Sequence, residues 1–338
     1  MTSKDDPDPA AVLAAFGLPG PAEELVPVAG AWSNRVYRLT AGGQRYAVKQ
    51  LRNPWGDPRW REWLAAAFEF ELRALAAGVA MPEPVPNPAD GGCLASVAAR
   101  DGDRPVPVRV HRWVAGRNPD RDAVDPTLAG WAGEVLAILH RLGVRPADRS
   151  LFPVTRTDTA DRWPELAEAA HRAGSRWAGR VAEVAPAVRT IAELARSAGH
   201  HPEVEVMTHG DVDPKNIVVA ADGPRLCDWD VAAPLEPRRE LADVAMSMAG
   251  WERFGLANEV VRAYRAAGGE AFRLGPTDLG QSMMIGLDWV AFNLERAIGA
   301  RPASPAEAAL GDRLAPGLLA ELPAHVDVAL RIDQVLDS

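Results

Sequence analysis

The chain has 338 residues, 47% of them apolar and 25% charged, and 37 basic against 46 acidic side chains give a net charge of −9. That composition supports a sizeable core and excludes a disordered or fibrous chain. The acidic balance makes the chain a poor candidate for sequence-blind nucleic-acid binding, which needs basic surface, and it tolerates a cationic small ligand.

Two cysteines, Cys93 and Cys227, exclude a disulfide scaffold and lack zinc-ligand spacing. The start, MTSKDDPDPA, has no signal-peptide core, and no run of about 18 apolar residues predicts a membrane span. A soluble cytoplasmic protein, monomer or homodimer, is expected. Length predicts about two lobes.

A short helix is predicted around Pro9–Phe16. From Glu24 to about Trp113 the texture is β-rich: LVPVAG, RVYRLT and RYAVKQL read as strands, with Gly42–Gly43 as a hairpin turn. Asp57 as cap, Pro58 at the first position and Gly78 as stop predict a helix over 58–77. Two further strands, CLASVAA and VPVRVHRWV, follow. After Gly116 the apolar spacing is helical, in LAGWAGEVLAILHRLG, WPELAEAAHRA, VAPAVRTIAELARSA and the runs beyond Glu240. One β-like island, NIVVA–ADGP–RLCDW, interrupts them. The reading is a small α/β lobe over 1–110 and a larger helical lobe over 111–338, joined near 109–116.

The densest chemistry lies in HGDVDPKN, residues 209–216, followed by CDWD at 227–230. Asp211 and Asn216 share a polar loop. A hairpin through the β-like island would return Asp228 beside Asn216. One amide and one carboxylate oxygen there suit Mg²⁺, which binds through one or two carboxylates plus substrate phosphates. Asp211 is then available to accept a hydroxyl proton. Phosphoryl transfer needs little more than metal, alignment and that acceptor. Lysine occurs only at positions 4, 49 and 215, arginine supplying the other cations, so Lys49 in YAVKQL and Lys215 in the loop stand out.

HGDxxxxN followed by DWD resembles the aminoglycoside phosphotransferase and choline kinase family, relatives of the protein kinases. The resemblance implies a bilobal, protein-kinase-like α+β fold: a small N-terminal nucleotide-binding lobe of antiparallel sheet plus helix, and a larger, mainly helical catalytic and substrate-binding lobe. It implies Asp211 as catalytic base, Asn216 and Asp228 as Mg²⁺ ligands, and ATP or GTP as phosphoryl donor. Asp230 either assists the metal, contacts substrate or sits at a turn. Lys49 would contact the α- and β-phosphates and pair with a helical glutamate. The family position for that glutamate is Phe68 here. Glu71 shares its helix face and is the first choice, with Glu69 second. Gly30, Ser33 and Asn34, in AGAWSNRVYRL, match the loop that covers the nucleotide.

The acceptor side is read from acidic residues. Asp213, Glu240, Asp288 and Glu295 are candidates for holding a cationic acceptor, although charged residues also cover ordinary helix faces. WVAFNLER, 289–296, offers an aromatic wall for a nucleoside or macrolide. The expected activity is a small-molecule O-phosphotransferase acting on an antibiotic hydroxyl and conferring resistance. A metabolic kinase of choline, a sugar or another small alcohol is the alternative. A catalytically inactive kinase-like binding module is a second alternative, and a two-aspartate hydrolase leaves Lys49 without a role.

Overall fold

The computed structural model describes residues 5–28, 34–52, 56–102, 104–152 and 157–336. Helix α1 (Pro9–Phe16) starts where Asp8 accepts a hydrogen bond from Ala11 N–H. Strands β1 (Ala22–Val28), β2 (Arg35–Ala41) and β3 (Gln44–Gln50) run antiparallel. The β2–β3 turn needs positive φ at both central positions, and Gly42 and Gly43 supply 54° and 71°. Helix α2 (Trp60–Ala76) begins later than Pro58 because Asp57 Oδ1 captures Arg59 N–H at 2.7 Å in a local turn ahead of the helix.

Strands β4 (Pro84–Val85), β5 (Ala95–Val97) and β6 (Val106–Arg112) complete an antiparallel sheet ordered β1-β2-β3-β6-β4, with β5 also on β6. Residue alternation divides its faces. Tyr46 and Val48 of β3, with Val108 and Val110 of β6, pack on Val12, Leu13 and Phe16 of α1. The opposite face carries Ala47 and Lys49 of β3, and Arg109 and His111 of β6. In register, Lys49 lies directly opposite Arg109, and Ala47 opposite His111.

Strand β7 (Gly116–Arg117) is followed by helices α3 (Pro126–Arg141), α4 (Asp158–Asp161), α5 (Trp163–Arg172), α6 (Ala178–Glu183) and α7 (Ala185–Ala198). Strand β8 (Val206–Thr208) leads into the loop 209–216. A hairpin of β9 (Ile217–Ala220) and β10 (Gly223–Leu226) comes next, with β7 on the outer side of β9. Strand β11 (Ala233–Leu235) precedes α8 (Pro237–Ala249), α9 (Phe254–Ala266), α10 (Gly280–Ala297), α11 (Pro305–Ala329) and α12 (Ile332–Val335).

The chain divides into two compact units. One comprises Met1–Ala123, Ile138–Phe152 and Met207–Pro234, and the other Val124–Ala137, Pro153–Val206 and Leu235–Ser338. The first therefore holds the sheet, α2 and the β9–β10 hairpin. The second is helical: α10 packs on α7 and α11, and α8 on α9. The fold is α+β, with an antiparallel sheet in the N-terminal part and mainly helix beyond it, as the residue patterns predict. Among the described residues no helix is long and apolar enough to cross a membrane.

Candidate active site

The β9–β10 hairpin sets the geometry of the motif. Ile217 pairs with Leu226 and Ala220 with Gly223. One step beyond the paired ends, Cys227 N–H donates to Asn216 O at 2.8 Å, so Asp228 leaves the hairpin beside the loop 209–216. His209 joins the same two segments. Its Nε2 lies 2.8 Å from Cys227 O, and its Nδ1 lies 3.3 Å from Asp211 N. A carbonyl can only accept and a backbone N–H can only donate, so Nε2 carries the proton. Trp229 is 1% exposed, meets the His209 ring edge-on at 4.8 Å, and donates Nε1–H to Leu226 O at 3.0 Å. It is packing for the loop.

Within the loop, Asn216 Nδ2 donates to Asp211 O at 2.9 Å and to Asp211 Oδ2 at 2.8 Å. Lys215 Nζ reaches Asp211 Oδ1 at 2.8 Å, and the Asp211 side chain remains 35% exposed. Asn118, just past β7, donates to Lys215 O at 2.6 Å and to Ile217 O at 2.9 Å. This support depends on close approach of β7 to β9: a Cβ on Gly116 would stand 2.5 Å from Val219 O. Gly116→Ala is therefore expected to cost about 1–3 kcal/mol of stability, as overpacking does. Urea denaturation of the two proteins checks it.

Asp228 adopts φ 67° and ψ 47°, a left-handed conformation found at only one other non-glycine residue described, Trp251. Aspartate tolerates this region better than most side chains, but it still costs about 1–3 kcal/mol and persists only where the surroundings impose it. Here the Cys227 and Trp229 hydrogen bonds fix both neighbours.

The opposite side of the site comes from the sheet. Lys49 Nζ pairs with Asp228 Oδ1 and Asp230 Oδ2. Asp230 Oδ1 pairs with Arg109, whose other terminal nitrogen pairs with Glu71 Oε2. Glu71 Oε1 lies 2.9 Å from His111 Nε2. For Asp230, Glu71, Lys49 and Arg109 burial works against the charge, and ion pairing outweighs it. The Asp230 carboxyl is held well below the usual carboxylate range by Lys49 and Arg109 despite burial that would raise it. Glu71 is likewise lowered, by the Arg109 charge and the His111 hydrogen bond. Lys49 and Arg109 are raised, by Asp228 with Asp230 and by Glu71 with Asp230 respectively. Burial also pushes the Cys227 thiol up to about 12, so it supplies no thiolate nucleophile near neutral pH.

The residues singled out in the sequence thus fall into groups. Asp211 and Asn216 are in contact, and Lys49, Asp228 and Asp230 are in contact, all within one compact unit. Glu71 is the buried acid of α2, whereas Glu69 is exposed. Its partners are Arg109 and His111 and not the expected Lys49, because α2 sets it over β6 while Asp228 and Asp230 take the lysine. Asn34 Oδ1 accepts Arg52 N–H at 3.1 Å. Gly30 and Ser33 lie outside the described residues.

Asp213 caps the turn 214–216 by accepting Lys215 N–H at 2.9 Å. The remaining acids belong to the helical unit. Glu240 is buried in α8, Asp288 on α10 accepts from Thr159 Oγ1, and Glu295 pairs with Arg301 at 2.9 Å. Trp289 and Phe292 stack at 5.6 Å on the same helix.

The sequence marks 109–116 only as a joint between lobes and assigns no role to the side chains of Arg109 and His111. The alternation Val108–Arg109–Val110–His111 carries the signal: two polar residues share one face of a strand whose other face is apolar. Asn118 has no such signal.

The model of the phosphotransferase enzyme family matches residues 24–274. No curated protein matches the chain. A spectinomycin phosphotransferase solved with ADP and spectinomycin has a similar structure, with a TM-score of 0.71 at 12% identity over 96% of this chain and 97% of that one. An amicoumacin kinase solved with AMP-PNP and Ca²⁺ gives 0.62 at 14%, covering 94% and 95%. A choline/ethanolamine kinase family protein from Mesorhizobium loti gives 0.52 at 21%, covering 96% and 98%. At these identities the likeness is one of fold.

Proposed function

The chain belongs to the phosphotransferase enzyme family, and from that membership we propose that it transfers the γ-phosphoryl group of ATP or GTP to a hydroxyl of an antibiotic in the cytoplasm. It is a small-molecule kinase of the aminoglycoside phosphotransferase and choline kinase group. The observation that carries the reading is the Cys227–Asn216 backbone hydrogen bond, which brings Asp228 and its partner Lys49 to the loop of Asp211.

The donor set fits a divalent cation. Asn216 commits Nδ2 to Asp211, which leaves Oδ1 as its oxygen donor, and the Asp228 side chain is 37% exposed. Two hard oxygen donors with phosphates filling the other positions suit Mg²⁺. Asn216 and Asp228 would hold it, and it would supply charge neutralisation for the nucleotide phosphates. Lys49 steadies the α- and β-phosphates. Asp211, oriented by Asn216 and Lys215, accepts the hydroxyl proton as the acceptor oxygen attacks in line. His209 holds the Asp211 backbone and fixes the loop on the hairpin. Asn34 takes the nucleotide-covering place that the sequence resemblance implies.

For the acceptor, Asp288 and Glu295 on α10, beside the Trp289–Phe292 stack, supply anionic and aromatic surface suited to a ring-bearing amine. Asp213 caps its own turn, Glu240 is buried in α8 and Asp230 is held by Lys49 and Arg109, so the acceptor reading rests on Asp288 and Glu295. The solved proteins of similar fold that carry spectinomycin and amicoumacin in their names support an antibiotic acceptor.

A coupled nucleotide-consumption screen with ATP and GTP, against aminoglycosides, peptide, nucleoside and macrolide antibiotics, choline and simple sugars, tests the reading. Mg²⁺-dependent turnover on an antibiotic, with protection of a sensitive host, is expected. Turnover confined to choline or a sugar would move the function to metabolism. Nucleotide binding without turnover on any acceptor would leave a kinase-like binding module.

A further inference from the structure

We propose that Arg109 is a positioning residue for Lys49, acting through Asp230, and that Glu71 serves Lys49 only at that further remove. The inference rests on the phosphotransfer reading, because it takes Lys49 as the group that meets the nucleotide.

Lys49 and Arg109 are directly opposite on β3 and β6, on the same sheet face. Like charges so placed repel. Neither is solvated enough to relieve this, with side-chain exposures of 13% and 1%. Buried cations in such a pair need an anion between them. Asp230 is that anion. Its Oδ2 pairs with Lys49 and its Oδ1 with Arg109, so a single carboxylate spans the two strands.

Arg109 is fixed in turn. Its two terminal nitrogens bind different carboxylates, Asp230 and the fully buried Glu71, and Glu71 is held from its other oxygen by His111. A planar fork can serve two acceptors at once, whereas a lysine at position 109 would present one point charge.

The division of labour follows. Asp228 is the more exposed acid and the one suited to a divalent cation. A carboxylate committed to a cation cannot also hold the lysine with full strength. Asp230 is then the anion that keeps Lys49 in register with the nucleotide. Without Arg109, Asp230 would be free to follow Lys49, and the ammonium would lose a fixed reference. The helical glutamate expected to touch the lysine instead stabilises the guanidinium that fixes the lysine's anion.

A thermodynamic cycle on the full chain tests this. Mg²⁺·ATP affinity is measured by calorimetry for the wild type, Asp230→Asn, the pair Arg109→Met with Glu71→Gln, and all three substitutions together. The Arg109/Glu71 pair removes one cation and one anion, so the net charge of the cluster is kept. Asp230→Asn and the pair are each expected to raise Kd about tenfold. The triple variant is expected to raise it about tenfold as well, because both changes remove the same constraint. An unchanged Kd in the pair variant, or a Kd raised about a hundredfold in the triple, overturns the proposal.

Thermal melting of each variant separates the alternative: a purely structural Arg109 lowers Tm but leaves the affinity of the folded protein alone. Should the pair variant fail to fold, Arg109→Lys replaces it in the cycle under the same criteria. A wild type that binds neither Mg²⁺·ATP nor Mg²⁺·GTP overturns the phosphotransfer reading and this proposal with it. Normal wild-type binding with an indifferent Arg109 overturns this proposal alone.

Discussion

Asp211→Ala is expected to lower turnover on an accepted alcohol by about 10²–10⁴-fold, the range associated with losing a positioned general base, while nucleotide affinity changes by less than about threefold. The separation follows from the hydrogen bonds. Asp211 is held by Asn216 and Lys215 within its own loop, whereas Lys49 is held by Asp228 and Asp230. Removing the Asp211 carboxylate leaves the second set intact. It leaves the Lys215 ammonium without that partner, but the lysine side chain is 56% exposed and water replaces the loss. Turnover by a coupled assay and affinity by calorimetry check the two halves. A variant that retains turnover within about tenfold of wild type would remove Asp211 from the proposed role.

Asp228→Asn is expected to abolish the Mg²⁺ dependence of nucleotide binding and to reduce turnover by at least about 10³-fold, as loss of a required electrostatic group does. Asparagine is the informative choice because it tolerates the left-handed backbone at this position and nearly matches aspartate in shape. Alanine would add backbone strain to the loss of charge. The Asp228→Asn variant should bind ATP with the same affinity with and without Mg²⁺, whereas the wild type should bind Mg²⁺·ATP more tightly. Retained metal dependence would move the cation's carboxylate ligand elsewhere, with Asp230, the other carboxylate on Lys49, as the alternative. That alternative is disfavoured by the two cations already on Asp230.

The two predictions fall on different parts of one arrangement. Asp211 belongs to a loop whose donors are local, so its loss is a loss of chemistry. Asp228 is ion-paired with Lys49 of the sheet, so in the proposed role its loss is expected to be a loss of binding as well. The Arg109 cycle extends the second case one residue further from the nucleotide.

The amino-acid sequence by itself determined most of the elements and the motif, because both are local, whereas the short strands β7, β8 and β11 carry no local signal. Glycines 42 and 43 dictate a two-residue turn, and alternation through RVYRLT and RYAVKQL dictates its strands. Asp211 and Asn216 are close because they share a short loop. Asp228 returns to them because a four-residue strand, a turn and its partner can end nowhere else once Ile217 pairs with Leu226. Tertiary structure alone decided which charges meet. The facing of Lys49 and Arg109 depends on the register of two strands separated by a whole helix, and the Arg109–Asp230 contact joins residues 121 apart in the chain. Glu71 could be assigned to the buried face of its helix by periodicity, but its partner is whichever cation the sheet presents there. Helical acids such as Glu240, Asp288 and Glu295 read alike in the sequence, yet one is buried, one accepts from a threonine and one is ion-paired. Local geometry follows from backbone preferences within a few residues, whereas charge pairing follows from burial, which only the assembled chain defines.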